Sequence, residues 1–502
     1  MRRHRTLALL CTLGLAAGAA TSGCAKKEAP APAAETQATR PDAGKIPVTT
    51  ASAEARAEFL KGRDLSEKLR ITDSIAHFEK AAALDPTFAL AELNLANSSP
   101  SAKGFFEHLG KAVSLADKAS EGERLQILAA EAGANNNPVK QKEYLDRLLA
   151  VHPNDERAHF NMGGFYFGQQ VFPQAIEHYK KATELAPDYS TAFNILGYAY
   201  RQNGDFENAE KAFQKYIELI PGDPNPYDSY AELLLKMGRF EESIAQYRKA
   251  LAIEPNFLAS HFGIAADLMY MGKPDEATAE IAQMRKKARN DGERRTALFA
   301  QTIVHVDRGQ MSKALAEADK QYSVAQKNGD AAAMAGDLNL KGNILLEMGK
   351  ADEARAAFDS SLKLIEGSGL SEEIKNNNRR VSHFNRARVA LARKDVASAK
   401  TEAEEFRKGA EASKNPAQVR LAHELDGMIA IAEKDYDKAV AEFVQGNPQN
   451  PQNLFRLCEA YKAKGDAANA KSFCRQAAEF NSLPQLNYAF VRTKAKAAAE
   501  KG

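Results

Sequence analysis

Apolar and polar positions follow one another along most of this chain with the spacing of amphipathic helices. Between residues 153 and 288 the pattern repeats every 34 residues, and each copy is closed by a proline. The four prolines are Pro153, Pro187, Pro221 and Pro255. At fixed distances from them stand small residues (Gly163, Gly197, Ala231, Ala265) and large ones (Tyr179, Phe213, Tyr247, Ile281). Because small residues let helices approach and large ones fill the adjacent groove, each copy predicts an antiparallel helical hairpin.

Turn signals fall between the two predicted helices in three of the four copies, at Gly204-Asp205, Gly238-Arg239 and Gly272-Lys273. The proline after the second helix cannot continue it, because proline lacks an N–H and its ring clashes with the preceding turn. One hairpin cannot bury its apolar face alone, whereas stacked hairpins can. The pattern therefore predicts an elongated stack of hairpins.

The clearest copy resembles the tetratricopeptide repeat, with Phe in the position where that family usually has Trp. Its matching residues are Phe193, Leu196, Gly197, Tyr200, Ala209, Phe213 and Pro221. The resemblance implies an all-α fold, a right-handed superhelical solenoid of about twelve antiparallel hairpins. It also implies that the concave face binds peptide or helix segments of partner proteins.

The repeat pattern divides the chain into segments. Residues 54–152 are expected to form less regular hairpins, 153–288 regular 34-residue repeats, and 289–480 hairpins of longer period. Residues 481–502 are expected to form a capping helix and tail, because Leu483, Leu486 and Phe490 share one face while the other positions are polar.

The first residues predict export. Residues 1–23 combine three arginines, a short apolar stretch and small residues, as a signal peptide does. Ser22-Gly23-Cys24 is similar to the cleavage site of bacterial lipoproteins, which implies a lipid on Cys24 and a location at the outer membrane. The alternative is an ordinary signal that releases a soluble periplasmic protein. Residues 24–50 are rich in Pro and Ala and are expected to be a disordered tether.

Charge argues against a nucleic-acid partner. Loss of residues 1–23 would remove three of the 68 Lys and Arg, against 66 Asp and Glu, so the remaining chain is nearly neutral. Nucleic-acid binding requires a clustered basic excess, which the sequence lacks.

No catalytic, phosphate-binding or metal-binding motif is present, so the sequence predicts neither a cofactor nor a metal. Cys458 and Cys474 each stand eight residues from Asp466 in the turn at Gly465-Asp466, on opposite helices of one predicted hairpin. A disulfide between them and two buried free thiols both remain open at this point.

Between the packing residues of each first helix lies a second row, which in this family lines the inner face. The residues predicted there are Arg157, Phe160, Phe167, Asn194, Tyr198, Arg201, Asn225, Asp228, Glu232, Phe262, Met269 and Tyr270. Aromatic residues mixed with Asn and Arg suit a peptide or a partner helix. The alternative is that the aromatic members pack against neighbouring helices.

Together these features favour a non-catalytic scaffold, lipid-anchored in the cell envelope, that binds other envelope proteins. The rival hypothesis is a regulatory or sensor subunit that binds a ligand within an envelope enzyme or secretion complex. The two hypotheses differ in whether the inner face takes a protein segment or a small molecule.

Overall fold

A computed structural model describes residues 44–501, and all regular secondary structure in that range is helical. The first twelve α-helices are α1 Ala53–Glu67, α2 Ile71–Leu84, α3 Ala89–Ser98, α4 Ala102–Leu115, α5 Glu121–Ala134, α6 Pro138–Val151, α7 Glu156–Gly168, α8 Phe172–Leu185, α9 Ser190–Gln202, α10 Phe206–Leu219, α11 Pro224–Lys236 and α12 Phe240–Ile253. The others are α13 Leu258–Tyr270, α14 Pro274–Lys286, α15 Asp291–Asp307, α16 Met311–Lys327, α17 Ala331–Glu347, α18 Ala351–Glu366, α19 Glu372–Ala392, α20 Val396–Ala412, α21 Pro416–Glu433, α22 Tyr436–Gln445, α23 Pro451–Lys464, α24 Ala467–Ala478 and α25 Leu486–Lys501. A 3-10 turn, Ala116–Lys118, follows α4.

Consecutive helices pack as twelve hairpins, and α25 follows the last of them. The predicted all-α solenoid is therefore confirmed, while the handedness of its superhelix stays a prediction. Helices α7 to α14 have 13 or 14 residues, and α15 to α21 have 16 to 21.

The turns have the backbone conformation that their residues favour. Gly204 and Gly238 have φ of 80° and 76°, in the left-handed region that glycine enters without steric cost. Lys394 and Lys434 occupy the corresponding turns of later hairpins with φ of 62° and 66°. Turn geometry is thus retained where the sequence no longer supplies glycine.

Five of the hairpins are closed by a contact between a glycine on the first helix and a ring sixteen positions later. A Cβ atom on Gly197 would lie 2.7 Å from the ring of Phe213, so a larger residue there would force the ring to move. The same clash would occur between Gly163 and Tyr179, Gly62 and Phe78, Gly342 and Phe358, and Gly427 and Phe443. This close approach explains why the pattern extends beyond the regular repeats.

Cys458 and Cys474 occupy the same pair of positions in the twelfth hairpin. Their Cα atoms are 4.9 Å apart and their sulfur atoms are bonded. Of the two alternatives left open by the sequence, the structure has the disulfide. It replaces the glycine–aromatic contact of five other hairpins with a covalent link.

The segment before α1 lies along the solenoid, which shortens the predicted tether of residues 24–50. The backbone N–H of Ile46 donates to Asp155 at 2.8 Å, that of Thr49 to Glu123 at 2.7 Å, and that of Ala51 to Asp85 at 3.1 Å. We call residues 44–52 the strap. The rest of the predicted tether, the signal peptide and Cys24 lie outside the described residues.

The strap is held because each carboxylate has an oxygen to spare. Asp155 accepts from its own helix α7 with one oxygen and from Ile46 with the other. Burial alone would raise the pKa of Asp85, yet hydrogen bonds from Thr50, Thr87 and Ala51 lower it to about 2. Since every residue except proline has a backbone N–H donor, the amino-acid pattern of the strap gives no sign of this attachment.

The stack curls until hairpins seven positions apart touch. Thr72 in the first hairpin donates to Glu293 in the eighth, and Lys103 in the second to Asp330 at the start of the ninth. Asn136, between α5 and α6, bonds to Asn377 in the tenth hairpin at 3.2 Å. These polar contacts make successive turns of the superhelix support each other.

Candidate binding surface

The inner face consists of the sides of the first helices α7, α9, α11, α13, α15 and α17 that distant parts of the chain contact. On the N-terminal side, Glu67 at the end of α1 accepts from Arg157 at 3.1 Å and, through its carbonyl, from Thr191 at 2.8 Å. On the C-terminal side, residues 480–494 reach α11, α13, α15 and α17.

The predicted residues of α7 contact neighbouring helices. The Arg157 guanidinium pairs with Glu67 and lies 5.0 Å from the ring centre of Tyr189. Phe160 packs between Tyr179 and Tyr189, with ring centres 5.6 and 5.5 Å away. Phe167 packs against Phe172 at the α7–α8 turn. For these residues the packing alternative describes the structure.

The predicted residues of α9 and α11 form a buried polar cluster. Arg201 lies over the ring of Tyr198 at 4.6 Å and pairs with Glu232 at 3.4 Å. In α11, Asn225 donates to the Tyr216 hydroxyl at 2.5 Å, and Asp228 accepts from Ser260 at 2.7 Å.

Asn194 differs from the other members of the cluster. Its side chain is fully buried, and neither amide atom has a hydrogen-bond partner among the residues that the structure describes. The side-chain oxygen of Asn225, one hairpin further along, is also buried without a hydrogen-bond partner among the described residues. An unsatisfied buried polar group costs about 1–3 kcal/mol, which a ligand with donors and acceptors would remove.

The predicted residues of α13 are buried as well. Phe262 and Tyr270 are 6% and 5% exposed. The Tyr270 hydroxyl donates to the Ser482 carbonyl at 2.5 Å, and its ring lies 5.5 Å from that of Tyr488 in α25. Tyr270 therefore does contact a helix, but one of its own chain.

These positions correct the prediction of a continuous open row. The α1–α2 turn enters the superhelix, where Leu69 and Ile71 pack with Phe257, Ala259 and Leu483. Residues 480–494 cover the inner face from the other end. Periodicity identified the side of each helix but not the segments that lie against it, because those segments come from 90 or more residues away.

Burial shifts the pKa values of two ionisable side chains at this surface, Lys236 and Asp267. Burial, assisted by the nearby Arg201, lowers the pKa of Lys236 to about 8. Burial, with a small contribution from nearby Glu241, raises the pKa of Asp267 in α13 to about 8. Asp267 faces α12. The positions equivalent to Asp267 in the three preceding repeats hold Phe165, Ala199 and Leu233.

Repeated His–Glu pairs join the two helices of several hairpins and were missed by sequence reasoning. Nδ1 of His261 lies 2.8 Å from Glu280, and that of His423 lies 2.7 Å from Glu442. Similar pairs are His77–Glu58, His108–Glu92 and His383–Glu402. A spacing of 19 residues between His and Glu, found in four of the five pairs, was the signal available in the sequence.

Within residues 44–501 no group of three or more His, Cys, Asp or Glu side chains could hold a metal ion. In the same range, no helix combines the length and apolarity needed to cross a bilayer.

Family models of the tetratricopeptide repeat match residues 142–188, 166–224, 225–257 and 338–367. The chain contains tetratricopeptide repeats. Among curated proteins, the anaphase-promoting complex subunit CDC16 of Saccharomyces cerevisiae is 30% identical over 151 residues. That match covers 28% of this chain and 18% of the relative, so the chain spans less than a fifth of that protein's length.

Solved structures with similar helices include the MamA protein, 22% identical over 33% of this chain and 91% of that one, with a TM-score of 0.28. Another is the Cut9–Hcn1 tetramer of the anaphase-promoting complex, 12% identical over 84% of this chain and 76% of that one, with a TM-score of 0.41. The fold of tetratricopeptide repeats is that of a protein-interaction scaffold, and the inner face described above is its candidate surface.

Proposed function

We propose that this protein is a non-catalytic scaffold, held in the envelope of a bacterial cell by a lipid on Cys24, whose inner face binds segments of envelope proteins. The observation that carries the proposal is the pair of buried amides, Asn194 and Asn225, on successive first helices. Amide side chains offer both a donor and an acceptor, as a peptide backbone does. A peptide segment would therefore satisfy the amide atoms of Asn194 and the side-chain oxygen of Asn225, which have no hydrogen-bond partner within residues 44–501.

The strap supports the anchored arrangement by fixing where the tether leaves the solenoid. Residues 44–46 lie beside His152 and Asn154, between the third and fourth hairpins. The 20 residues from Cys24 to Ala43 would span about 25 Å as a flexible coil. An anchor on Cys24 would then hold the side of the solenoid, rather than its first helix, near the membrane.

The binding proposal is tested by placing a photo-crosslinking residue at position 194 in the full-length protein and irradiating living cells. We expect a discrete protein adduct, because position 194 belongs to the buried amide pair. The matched control places the same residue at Lys180, on the exposed side of α8. Adducts that form equally at both positions, or at Lys180 alone, would place binding elsewhere.

A second measurement separates binding from folding. The double change Asn194→Ala and Asn225→Ala, in protein without the crosslinking residue, should lower affinity recovery of the partner identified by crosslinking at least tenfold, with a melting temperature within a few degrees of wild type. Phe213→Ala is the control for damage to the core and should cost about 3–5 kcal/mol. Full recovery from a folded double variant would contradict a role for the amides. An adduct with a small molecule in place of a protein would favour the sensor hypothesis.

The anchor is tested by Cys24→Ser. The variant should move from the membrane fraction to the soluble periplasm with unchanged helicity. A variant that stays in the membrane after a high-salt wash would refute lipidation as the means of attachment.

A further inference from the structure

The C-terminal segment contacts the last residue of four successive first helices, one per hairpin and in chain order. Lys236 of α11 donates to the Phe480 carbonyl at 2.5 Å, and Tyr270 of α13 to the Ser482 carbonyl at 2.5 Å. Asp307 of α15 accepts from Arg492, and Glu347 of α17 from Lys494. We call Lys236, Tyr270, Asp307 and Glu347 the inner ladder.

The anchor of this contact is Arg492. Its Nε and one terminal nitrogen donate to the two oxygens of Asp307, at 2.6 and 2.5 Å, and both residues are 7% exposed. The guanidinium also lies 5.3 Å from the ring centre of Tyr270. One helical turn earlier, Tyr488 packs on the same ring. Tyr270 and Asp307 thus receive an aromatic residue and an arginine that are four residues apart.

The apolar side of α25 completes the fit. Phe490, Val491 and Ala495 are at most 5% exposed and belong to one core with Ile303 and Val304 of α15. A basic amphipathic helix is thus held by apolar contacts along its buried side and by acidic residues of the ladder. A terminal cap packs on the last hairpin alone, whereas α25 packs on α24 and also on α15, four hairpins earlier.

Residues 480–494 make one contact with each successive hairpin. An extended ligand binds along the surface of a repeat protein in the same way. We propose that the inner ladder binds a basic amphipathic helix with an aromatic residue and an arginine four positions apart. Tyr270, Asp307 and Glu347 hold the helix, and Lys236 holds the segment that precedes it. Residues 480–494 occupy the inner ladder until a partner helix of that kind displaces them. The proposal rests on the proposed scaffold function and names the chemistry of its partner.

Hydrogen exchange on the unmodified full-length protein is the first test, since it needs no substitution. A displaceable α25 opens while α15 and α17 remain folded. We expect amides of residues 486–495 to exchange at least tenfold faster than those in the middle of α15 and α17. Equal exchange rates would show that α25 opens only with the solenoid, and would overturn the proposal.

The second test supplies the helix in trans, as a fluorescent peptide of residues 480–501. The full-length Arg492→Asp variant should bind this peptide at least tenfold more tightly than wild type, because its own helix is repelled by Asp307. The matched control is Glu500→Lys, an exposed charge reversal on the same helix, with no ion pair among the described residues. It should bind the peptide no more tightly than wild type.

Specificity is tested by exchanging the charges. The full-length Asp307→Arg variant should bind a peptide carrying Arg492→Asp at least tenfold more tightly than the wild-type peptide. If the Asp307→Arg variant does not prefer the peptide carrying Arg492→Asp, the proposed pairing is overturned. This measurement remains decisive even if the full-length Arg492→Asp variant fails to fold. Because the crosslinking at position 194 probes α9 and not the ladder, failure of the ladder proposal leaves the result for the scaffold function unaffected.

Discussion

Asp267 should make the protein less stable as the pH rises through neutrality. Its side chain is fully buried in α13, and burial raises its pKa from 3.8 to about 8. The folded protein therefore keeps a proton that the unfolded chain has lost between these two values. Stability falls with pH wherever the folded state binds more protons, so its loss begins near pH 4 and is complete above about pH 8.

The magnitude follows from the shift. One pKa unit corresponds to about 1.4 kcal/mol, so between pH 5 and pH 7.5 this group alone should lower the free energy of unfolding by about 3 kcal/mol. Asp267→Asn removes the titration at nearly constant volume, and its stability relative to wild type should rise by that amount over the interval. Asp267→Leu should also be more stable than wild type at pH 7.5, because Leu233 fills the same position one repeat earlier.

The assay is urea unfolding of wild type and both variants at pH 5 and pH 7.5, followed by circular dichroism. Hydrogen exchange of α13 accompanies it, because a long repeat array need not unfold in a single step. The comparison is the difference between Asn variant and wild type at the two pH values, which cancels all other titrating groups. A difference that stays constant within about 0.5 kcal/mol would refute the raised pKa of Asp267.

Three further predictions concern single hairpins. Burial, with the neighbouring His159, lowers the pKa of His178, so its contribution to stability is lost as the pH falls below about 6.5; His178→Glu, which recreates the pairing of His261 with Glu280, should flatten the fall in melting temperature between pH 7.5 and pH 5.5, and an unchanged slope would refute it. Thiol titration of the unfolded, unreduced protein should find no free Cys458 or Cys474, and reduction should cost about 3 kcal/mol because the disulfide closes a short loop; two reactive thiols would contradict the bond. Asp155→Asn should release the start of the strap, seen as faster amide exchange at Ile46, whereas the same change at exposed Asp188 should have no effect there.

Much of the fold could be predicted from the sequence because its determinants are local. Gly197 and Phe213 are only sixteen residues apart, and the contact between them is repeated wherever the pair recurs. The number of hairpins, the turns and the position of the disulfide follow from such pairs. Local contacts of this kind depend on helix geometry alone, so they can be read from spacing.

The state of the binding surface was decided by tertiary structure. The sequence placed Tyr198, Phe262 and Tyr270 on the inner side of their helices, and the structure has them there, but buried. The segments that cover this face, the α1–α2 turn and residues 480–494, lie far away along the chain, and their approach depends on the curvature accumulated over seven hairpins. A small rotation at each repeat sets that curvature, and no single repeat specifies it.

The strap and the His–Glu pairs are two features that apolar periodicity does not predict, for different reasons. Backbone N–H groups hold the strap. Since every residue except proline has such a group, no side-chain pattern predicts that the strap is attached. The His–Glu pairs do have a spacing, but a polar pair at the edge of a hairpin leaves the apolar periodicity unchanged. The sequence by itself determined a solenoid of twelve hairpins with a defined inner side, because each hairpin is stabilised by its own residues and its neighbours. Only the tertiary structure decided what occupies that side, because long-range closure depends on the sum of all the repeats.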